Sequence, residues 1–174
     1  MEFIFDTEYD QKGLTAMARA LRKTVRKKKS RRSHIYSILI ICAGIMLSLP
    51  GENEIFEITS SFVFTWIAII IMVLVLIFED RLNGYIAKKR MLPGMNKTLV
   101  TFGEESYISE TAVGKSEFYY ANIDTVAETE EYIILIFSKM HAQIYNKNGI
   151  TKGTTEEFKQ FITQKTGKEI QRIK

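Results

Sequence analysis

The sequence of 174 residues has one cysteine, two prolines and two histidines. Cys42 has no second cysteine with which to form an intramolecular disulfide. His34 and His141 lie far apart, without the spacing of a metal-binding motif. The chain also lacks a nucleophile elbow, a phosphate-binding glycine loop and a paired-cysteine motif. We therefore expect a protein that is not an enzyme, with no catalytic residues, no metal site and no cofactor.

A lack of charge marks the most informative segment. Residues 58–78 form a run of 21 residues without Asp, Glu, Lys or Arg. As a helix with a rise of about 1.5 Å per residue, this run spans roughly 30 Å, the thickness of a bilayer's hydrocarbon core. The run predicts a transmembrane helix. The alternative is a helix buried on every face in a soluble core.

A second uncharged run precedes the first and is weaker. Its apolar part, residues 35–49, is shorter than the usual span of about 20 residues. Residues 34 and 50 extend it toward the headgroups, so we expect a first span at about 34–50. A re-entrant or interfacial segment is the alternative.

The charges that flank these runs are distributed asymmetrically. Basic residues crowd before the first run and recur after the second, at Arg81 and residues 88–90. The segment between the runs contains Glu52, Glu54 and Glu57 and no Lys or Arg. Because basic residues are retained on the cytoplasmic side, we expect a multi-pass hairpin with both termini in the cytoplasm.

The basic run at residues 19–33 has three interpretations. It could bind nucleic acid, bind anionic lipid or only fix the orientation of the hairpin. Its position beside the first span favours lipid contact and orientation, since its charges lie within a Debye length of the bilayer. The lack of interleaved aromatic side chains argues against nucleic acid. The residues expected to contact the anionic leaflet are Arg26, Lys27, Lys28, Lys29, Arg31 and Arg32.

Short alternating segments dominate the C-terminal half. They predict strands at residues 98–102, 107–110, 117–123, 125–129, 132–137 and 141–145. Residues 132–137 are apolar on both faces, which predicts a central strand. Near the N-terminus, Phe3 and Phe5 share one face of a short strand, and residues 13–22 predict an amphipathic helix that runs into the first span.

One helix is predicted to close the chain. Thr154 and Glu157 have the spacing of a capping box, and Gly167 is the expected stop. We expect Phe158 and Phe161 to be buried on the sheet and Lys159 to be exposed. A small antiparallel sheet followed by one C-terminal helix has the outline of a pleckstrin-homology-like domain. The predicted fold class is thus an α+β membrane protein with a two-helix transmembrane hairpin and this small β-domain.

These features resemble the YcxB-like family of small bacterial membrane proteins. The resemblance rests on a Y-x-x-I step at Tyr120–Ile123, the apolar strand at residues 132–137, residues 144–147 and the EEFK sequence at Glu156–Lys159. Tyr120, Ile123, Phe158 and Phe161 are structural residues of this pattern. The proline usual before the helix is absent here, which changes the local turn. The resemblance implies the fold and a location in the bacterial plasma membrane, and no mechanism.

The expected organisation has four parts. They are an N-terminal strand and basic helix at 1–33, a hairpin at 34–79 with spans at about 34–50 and 58–78, a linker at 80–94 and a cytoplasmic β-rich domain at 95–174.

Two functions fit this organisation. The first is a membrane-tethered module that binds a cytoplasmic protein, and the second is an immunity protein that protects its producer from a membrane-acting toxin or bacteriocin. The expected partners are anionic membrane lipids and a protein, which is a toxin in the second case. A further copy, packed through the transmembrane helices, is another candidate partner, and nucleic acid is not expected.

Overall fold

The computed structural model describes residues 2–50 and 58–174. The acidic loop predicted to face outward, with Glu52, Glu54 and Glu57, lies outside the described residues. The chain forms two compact units. The first contains the residues up to Arg26 together with Asp80–Lys174, and the second contains Lys27–Glu79.

The described residues contain five α-helices and nine strands. The helices are α1 (Gln11–Lys23), α2 (Lys27–Leu47), α3 (Ser60–Ile77), α4 (Glu79–Arg90) and α5 (Thr155–Thr166). The strands are β1 (Phe3–Glu8), β2 (Lys97–Phe102), β3 (Ser106–Thr111), β4 (Gly114–Tyr119), β5 (Thr125–Glu128), β6 (Tyr132–Ile136), β7 (Ala142–Asn146), β8 (Ile150–Lys152) and β9 (Ile170–Arg172).

The strands of the first unit form two sheets. The five-stranded sheet has the order β4-β3-β2-β1-β8, and the four-stranded sheet has the order β7-β6-β5-β9. All pairs are antiparallel except the parallel pair of β5 with β9. The α+β class agrees with the sequence prediction, which had one antiparallel sheet and a helix that closes the chain. The structure instead has two sheets, one of them mixed, and β9 follows α5. The short strands β8 and β9 were not predicted.

The four-stranded sheet is covered on both faces. Ile133 and Leu135 pack into an aromatic core that also contains residues of the five-stranded sheet and of α5. The alternate residues of β6, Ile134 and Ile136, pack against Ala20 and Leu21 of α1. Because successive side chains of a strand point to opposite faces, β6 is apolar throughout and every one of its residues is buried.

The first strand belongs to the β-rich unit rather than to a separate N-terminal part. β1 pairs with β2 from Phe3↔Phe102 to Glu8↔Lys97, and it also pairs with β8. Phe3 and Phe5 are almost fully buried. The sequence placed the start of this domain at residue 95, and the structure adds residues of β1, α1 and α4 to it. The reason is long-range strand pairing, which periodicity alone does not reveal.

The amphipathic helix was expected to continue into the first span, and this expectation is wrong. α1 ends at Lys23, and a turn at residues 24–26 precedes α2. Ala20 and Leu21 are buried against β6, while the N–H of Arg26 donates to the carbonyl of Leu21 at 2.9 Å. Packing of α1 on the sheet therefore sets the end of this helix.

The second unit consists of α2 and α3, which pack on each other. Gly44 of α2 lies against α3, where an added Cβ would meet Ile69 Cδ1 at 3.3 Å and Thr65 Cγ2 at 3.9 Å. His34 Nε2 lies 2.7 Å from Glu79 Oε2. The absence of a side chain at Gly44 thus allows α2 and α3 to approach closely.

Only α3, among the helices of the described residues, is long and apolar enough to cross a bilayer. The predicted two-helix transmembrane hairpin is therefore not confirmed. α2 begins inside the basic run, so its apolar part is limited to residues 35–47, or about 20 Å at the helical rise.

Candidate functional site

The six cations expected to contact lipid occupy a turn and the start of α2. Arg26 lies in the turn after α1, and its Nε donates to the carbonyl oxygen of Lys139 at 2.6 Å. The other five are exposed in the first two turns of α2: Lys27, Lys28, Lys29, Arg31 and Arg32. The structure thus separates Arg26, which has a partner in the first unit, from five cations that are open to their surroundings.

The start of α2 is electrostatically unfavourable without an anion nearby. The N-terminus of a helix carries a partial positive charge, and the first turn of α2 contains Lys27–Lys29 and no acidic residue. Between residues 2 and 50 and between 58 and 174, no carboxylate forms an ion pair with these five cations. Lipid phosphates would offset both the side-chain charges and the helix dipole.

The two helices of the second unit expose most of their apolar side chains. No residue of α2 is buried, and Ile69 is the one buried residue of α3. The exposed large side chains are Ile35, Tyr36, Ile38, Leu39, Ile40, Met46, Leu47, Val63, Phe64, Trp66, Ile67, Ile70, Ile71, Leu74, Val75 and Ile77. An apolar surface of this extent requires cover from lipid or from another protein.

The four structural residues of the family pattern meet in the aromatic core of the first unit. Tyr120 and Ile123 are buried at one end of the turn after β4. Phe158 is fully buried, and its ring lies 4.7 Å from that of Phe5, while the ring of Phe161 lies 5.7 Å from that of Tyr120. The burial of Phe158 and Phe161 agrees with the sequence expectation.

The helix α5 begins and ends where the sequence predicts. Thr154 and Glu157 form the capping box, and Gly167 ends the helix with a φ of 65°. Lys159, however, is not on an exposed face. Its side chain is only 17% exposed, and its Nζ lies 3.2 Å from Glu128 Oε1.

Glu128 is the centre of a charge cluster that sequence reasoning missed. Its carboxylate lies 2.7 Å from Lys147 Nζ, 3.2 Å from Lys159 Nζ and 3.9 Å from Arg172 Nε. Burial alone would raise the pKa of Glu128, but hydrogen bonds from Lys147 and Lys159 hold this pKa below its usual value. The cluster joins β5, β9, α5 and the turn after β7. Its members are scattered over 45 positions of the chain, so no local signal marks it.

A second buried carboxylate connects α4 to α1. Asp80 accepts hydrogen bonds from Arg22 Nε at 2.6 Å and Arg22 Nη2 at 2.7 Å, and a longer bond from Arg19 Nε at 3.4 Å. Burial would raise the pKa of Asp80, but the two guanidinium groups, Arg22 foremost, keep it below its usual value. One signal was available: Arg19 and Arg22 lie three residues apart and share a face of α1.

Polar groups of the aromatic core are paired by hydrogen bonds. The hydroxyls of Tyr107 and Tyr145 both donate to Gln143 Oε1 at 2.6 Å. Burial raises the pKa of both tyrosines. These hydrogen bonds pair the buried polar groups of the three side chains, which favours a structural role.

A cavity of about 740 Å³ opens between α1, α4 and the turn from β5 to β6. Charges of both signs line it, with Lys12, Arg19 and Arg81 on the helices and Glu130 and Glu131 on the turn. Lys12 Nζ already pairs with Glu131 Oε1 at 2.6 Å. The lining therefore selects no single ligand charge.

Comparison with known proteins identifies one family. Residues 102–162 match the family model described as YcxB-like protein, so the chain carries a YcxB-like domain. No curated protein and no solved structure gave a match. The matched segment begins at the end of β2 and ends within α5. It contains all four structural residues and most of the aromatic core.

Proposed function

We propose that this chain is a non-enzymatic integral membrane protein whose YcxB-like domain acts as a membrane-tethered protein-interaction module. The proposed location is the bacterial plasma membrane, with α2 and α3 as a hairpin and both termini in the cytoplasm. The observation that carries the proposal is the contrast between the two units. The first is a packed domain with a closed core, whereas the second exposes apolar side chains along both helices.

Lipid is the favoured cover for the second unit because of how charge is arranged. α3 contains no charged residue from Ser60 to Ile77. α2 has exposed cations at its N-terminal end, before its apolar part. Long basic side chains at a helix end can extend toward the headgroups while their stems remain in the apolar layer. This behaviour would let the short apolar part of α2 span together with its basic first turns. A local thinning of the bilayer would have the same effect.

An open sheet edge supports the interaction role. β4 pairs with β3 on one side and is the last strand of the five-stranded sheet, and five of its six residues are exposed. A sheet edge presents unpaired backbone groups, to which an extended peptide can add as a further strand. We infer that a cytoplasmic partner binds along β4.

Reporter fusions test the topology. A reporter that is active only outside the cytoplasm should be silent after Lys174 and active when inserted at Asn53, which lies outside the described residues. The positive-inside distribution of Lys and Arg is the reason for this expectation. An active reporter after Lys174 would contradict the proposed hairpin. A silent reporter at Asn53 together with an active one after Lys174 would favour a re-entrant or interfacial first helix, because α3 alone would then cross the bilayer.

Site-specific cross-linking tests the partner. A photoreactive residue at Ser116, on β4, should yield a cross-linked protein in cells that express the full chain. The same residue at Gln164, which is exposed on α5, is the matched control and should yield none. Equal yields at both positions would argue against recognition by β4. If protection against a membrane-acting toxin is found and needs only the hairpin, the immunity function replaces the interaction module.

A further inference from the structure

The helix α4 has one face that packs on α1 and an opposite face that is exposed. Asp80 and Gly84 are buried and lie one turn apart. Asp80 pairs with Arg22 of α1, and an added Cβ at Gly84 would meet the Oγ1 and backbone N of Thr15 at 2.7 and 2.8 Å. These contacts fix one face of α4 against α1. Rotation of α4 about its own axis would break both contacts.

The opposite face of α4 is exposed and contains three apolar side chains. At about 100° per residue, Leu82, Tyr85 and Ile86 point away from the face that contains Asp80 and Gly84. These residues are 41%, 59% and 44% exposed. The contacts with α1 fix the orientation of α4 about its axis, and this orientation is what exposes Leu82, Tyr85 and Ile86. Leu92, just beyond the helix, is also exposed, at 61%.

Three cations lie on or beside this face, and no acidic residue of α4 lies on it. Lys89 lies in its centre by helical position, and Lys88 and Arg90 lie on its two flanks. All three are exposed. The two acidic residues of the helix have other partners, since Glu79 pairs with His34 and Asp80 with Arg22. Exposed apolar side chains combined with Lys and Arg also occur on helices that lie in the membrane interface, where long basic side chains reach the headgroups.

We propose that α4 is an interfacial helix, which inserts Leu82, Tyr85 and Ile86 into the cytoplasmic leaflet and places Lys88, Lys89 and Arg90 against anionic headgroups. This inference rests on the proposed membrane insertion of α3. Only Phe78 separates the end of α3 from the start of α4, so chain connectivity keeps α4 within reach of the bilayer surface. A second copy is the less suitable occupant, because a two-fold contact would bring Lys89 close to its own symmetry mate.

The consequence concerns the orientation of the YcxB-like domain. The exposed face of α4 would hold the domain against the membrane surface, in addition to the chain connection to α3. Its rotation relative to the membrane would then be set by the contacts of Asp80 and Gly84 with α1, because these contacts determine which side of α4 is exposed.

The test uses the full chain in vesicles of defined composition. In a Cys42→Ala background, single cysteines replace Leu82, Tyr85 or Ile86 and carry an environment-sensitive fluorophore. Ile70→Cys, exposed on α3, is the control for the membrane, and Lys115→Cys, exposed on β4, is the control for water. Vesicles contain phosphatidylcholine alone or with phosphatidylglycerol, and a quencher is attached to the lipid. Circular dichroism first checks that each variant keeps the parent fold.

In anionic vesicles we expect a blue-shifted emission and strong quenching at positions 82, 85 and 86, as at 70, and no quenching at 115. Quenching at 82, 85 and 86 should fall in neutral vesicles or at high salt, since the cations contribute to binding.

Four results would overturn the inference. Quenching at 70 without quenching at 82, 85 and 86 would exclude an interfacial α4 and leave the proposed membrane insertion intact. Absence of quenching at 70 would instead contradict the proposed function. Label-to-label contact at position 85, detected as excimer emission from a pyrene label, would assign the face to a second copy. Equal quenching in neutral and anionic vesicles would exclude anionic headgroups as the ligand.

Discussion

At the residue scale, Asp80 contributes through two short hydrogen bonds to a single guanidinium group. Asp80→Asn keeps the volume of the side chain but removes the charge that Arg22 faces at 2.6 Å. A charge-assisted hydrogen bond contributes about 1.5–3 kcal/mol, and we expect a loss of stability of about this size. Thermal unfolding of the full chain, followed by circular dichroism, measures it as a lower melting temperature.

The matched control is Asp124→Asn. Asp124 is exposed, and its contact is with the hydroxyl of its neighbour Thr125. This variant should unfold at nearly the parent temperature, since exposed polar groups contribute little. If the two variants lose the same stability, the contact between Asp80 and Arg22 does not stabilise the packing of α4 on α1.

The ion pairs of Glu128 should make the stability of the fold depend on pH. Its pKa is lowered in the folded protein, so its ion pairs stabilise the fold above the pKa of an unfolded glutamate, about 4.3. That stabilisation is lost as the pH falls through the lower, folded pKa. Urea unfolding between about pH 7 and about pH 3 should show a falling midpoint. In Glu128→Gln the midpoint should be lower near pH 7 and should change less with acid.

A control separates Glu128 from the other carboxylates. Glu105→Gln, at an exposed residue of the β2–β3 turn, should keep the parent's pH dependence. If Glu128→Gln and the parent lose the same stability in acid, other groups cause the acid transition.

At the element scale, α5 tests the packing of the YcxB-like domain. Phe161 is 8% exposed and its ring lies 5.1 Å from that of Phe3. Phe→Ala in a core costs about 3–5 kcal/mol, a large part of the roughly 5–15 kcal/mol of a domain. Phe161→Ala should therefore sharply lower the urea midpoint of the full chain.

Lys159 is not a neutral control position on α5. It pairs with Glu128, so Lys159→Ala should also destabilise the fold. Gln164→Ala, at an exposed position of the same helix, is the better control and should leave the midpoint unchanged. A parent-like midpoint for Phe161→Ala would show that α5 does not stabilise the core.

The elements that the sequence predicts are those with local signals. The capping box of α5, the turn glycine Gly167 and the alternation in β2, β3 and β5 depend on residues close together in the chain. β8 and β9 have three residues each, too few for a period to be read. The break between α1 and α2 depends on the packing of Ala20 and Leu21 on β6, which no local pattern contains.

At the scale of the whole molecule, the first unit is discontinuous in sequence. β1 lies between β2 and β8 in the five-stranded sheet, and Phe3 and Phe5 pack against Phe158 at ring distances of 5.5 and 4.7 Å. The family model begins at residue 102 and so omits this strand. The sequence could not place β1 because its partners in β2 lie 89 to 99 positions away.

This discontinuity predicts which fragment folds. Residues 95–174 lack β1 and α1, so β2 and β8 lose their common neighbour, and one face of β6 loses its cover. We expect this fragment to be aggregated or unfolded.

A chimera that joins residues 1–26 to residues 80–174 through a flexible Gly/Ser linker retains every strand and both cores. It should unfold cooperatively in urea without detergent, as a small domain does. The control is the same chimera with Phe5→Ala, which should lose stability by about 3–5 kcal/mol. Cooperative unfolding of 95–174 alone would show that β1 is an accessory strand, and it would restore the boundary at residue 95.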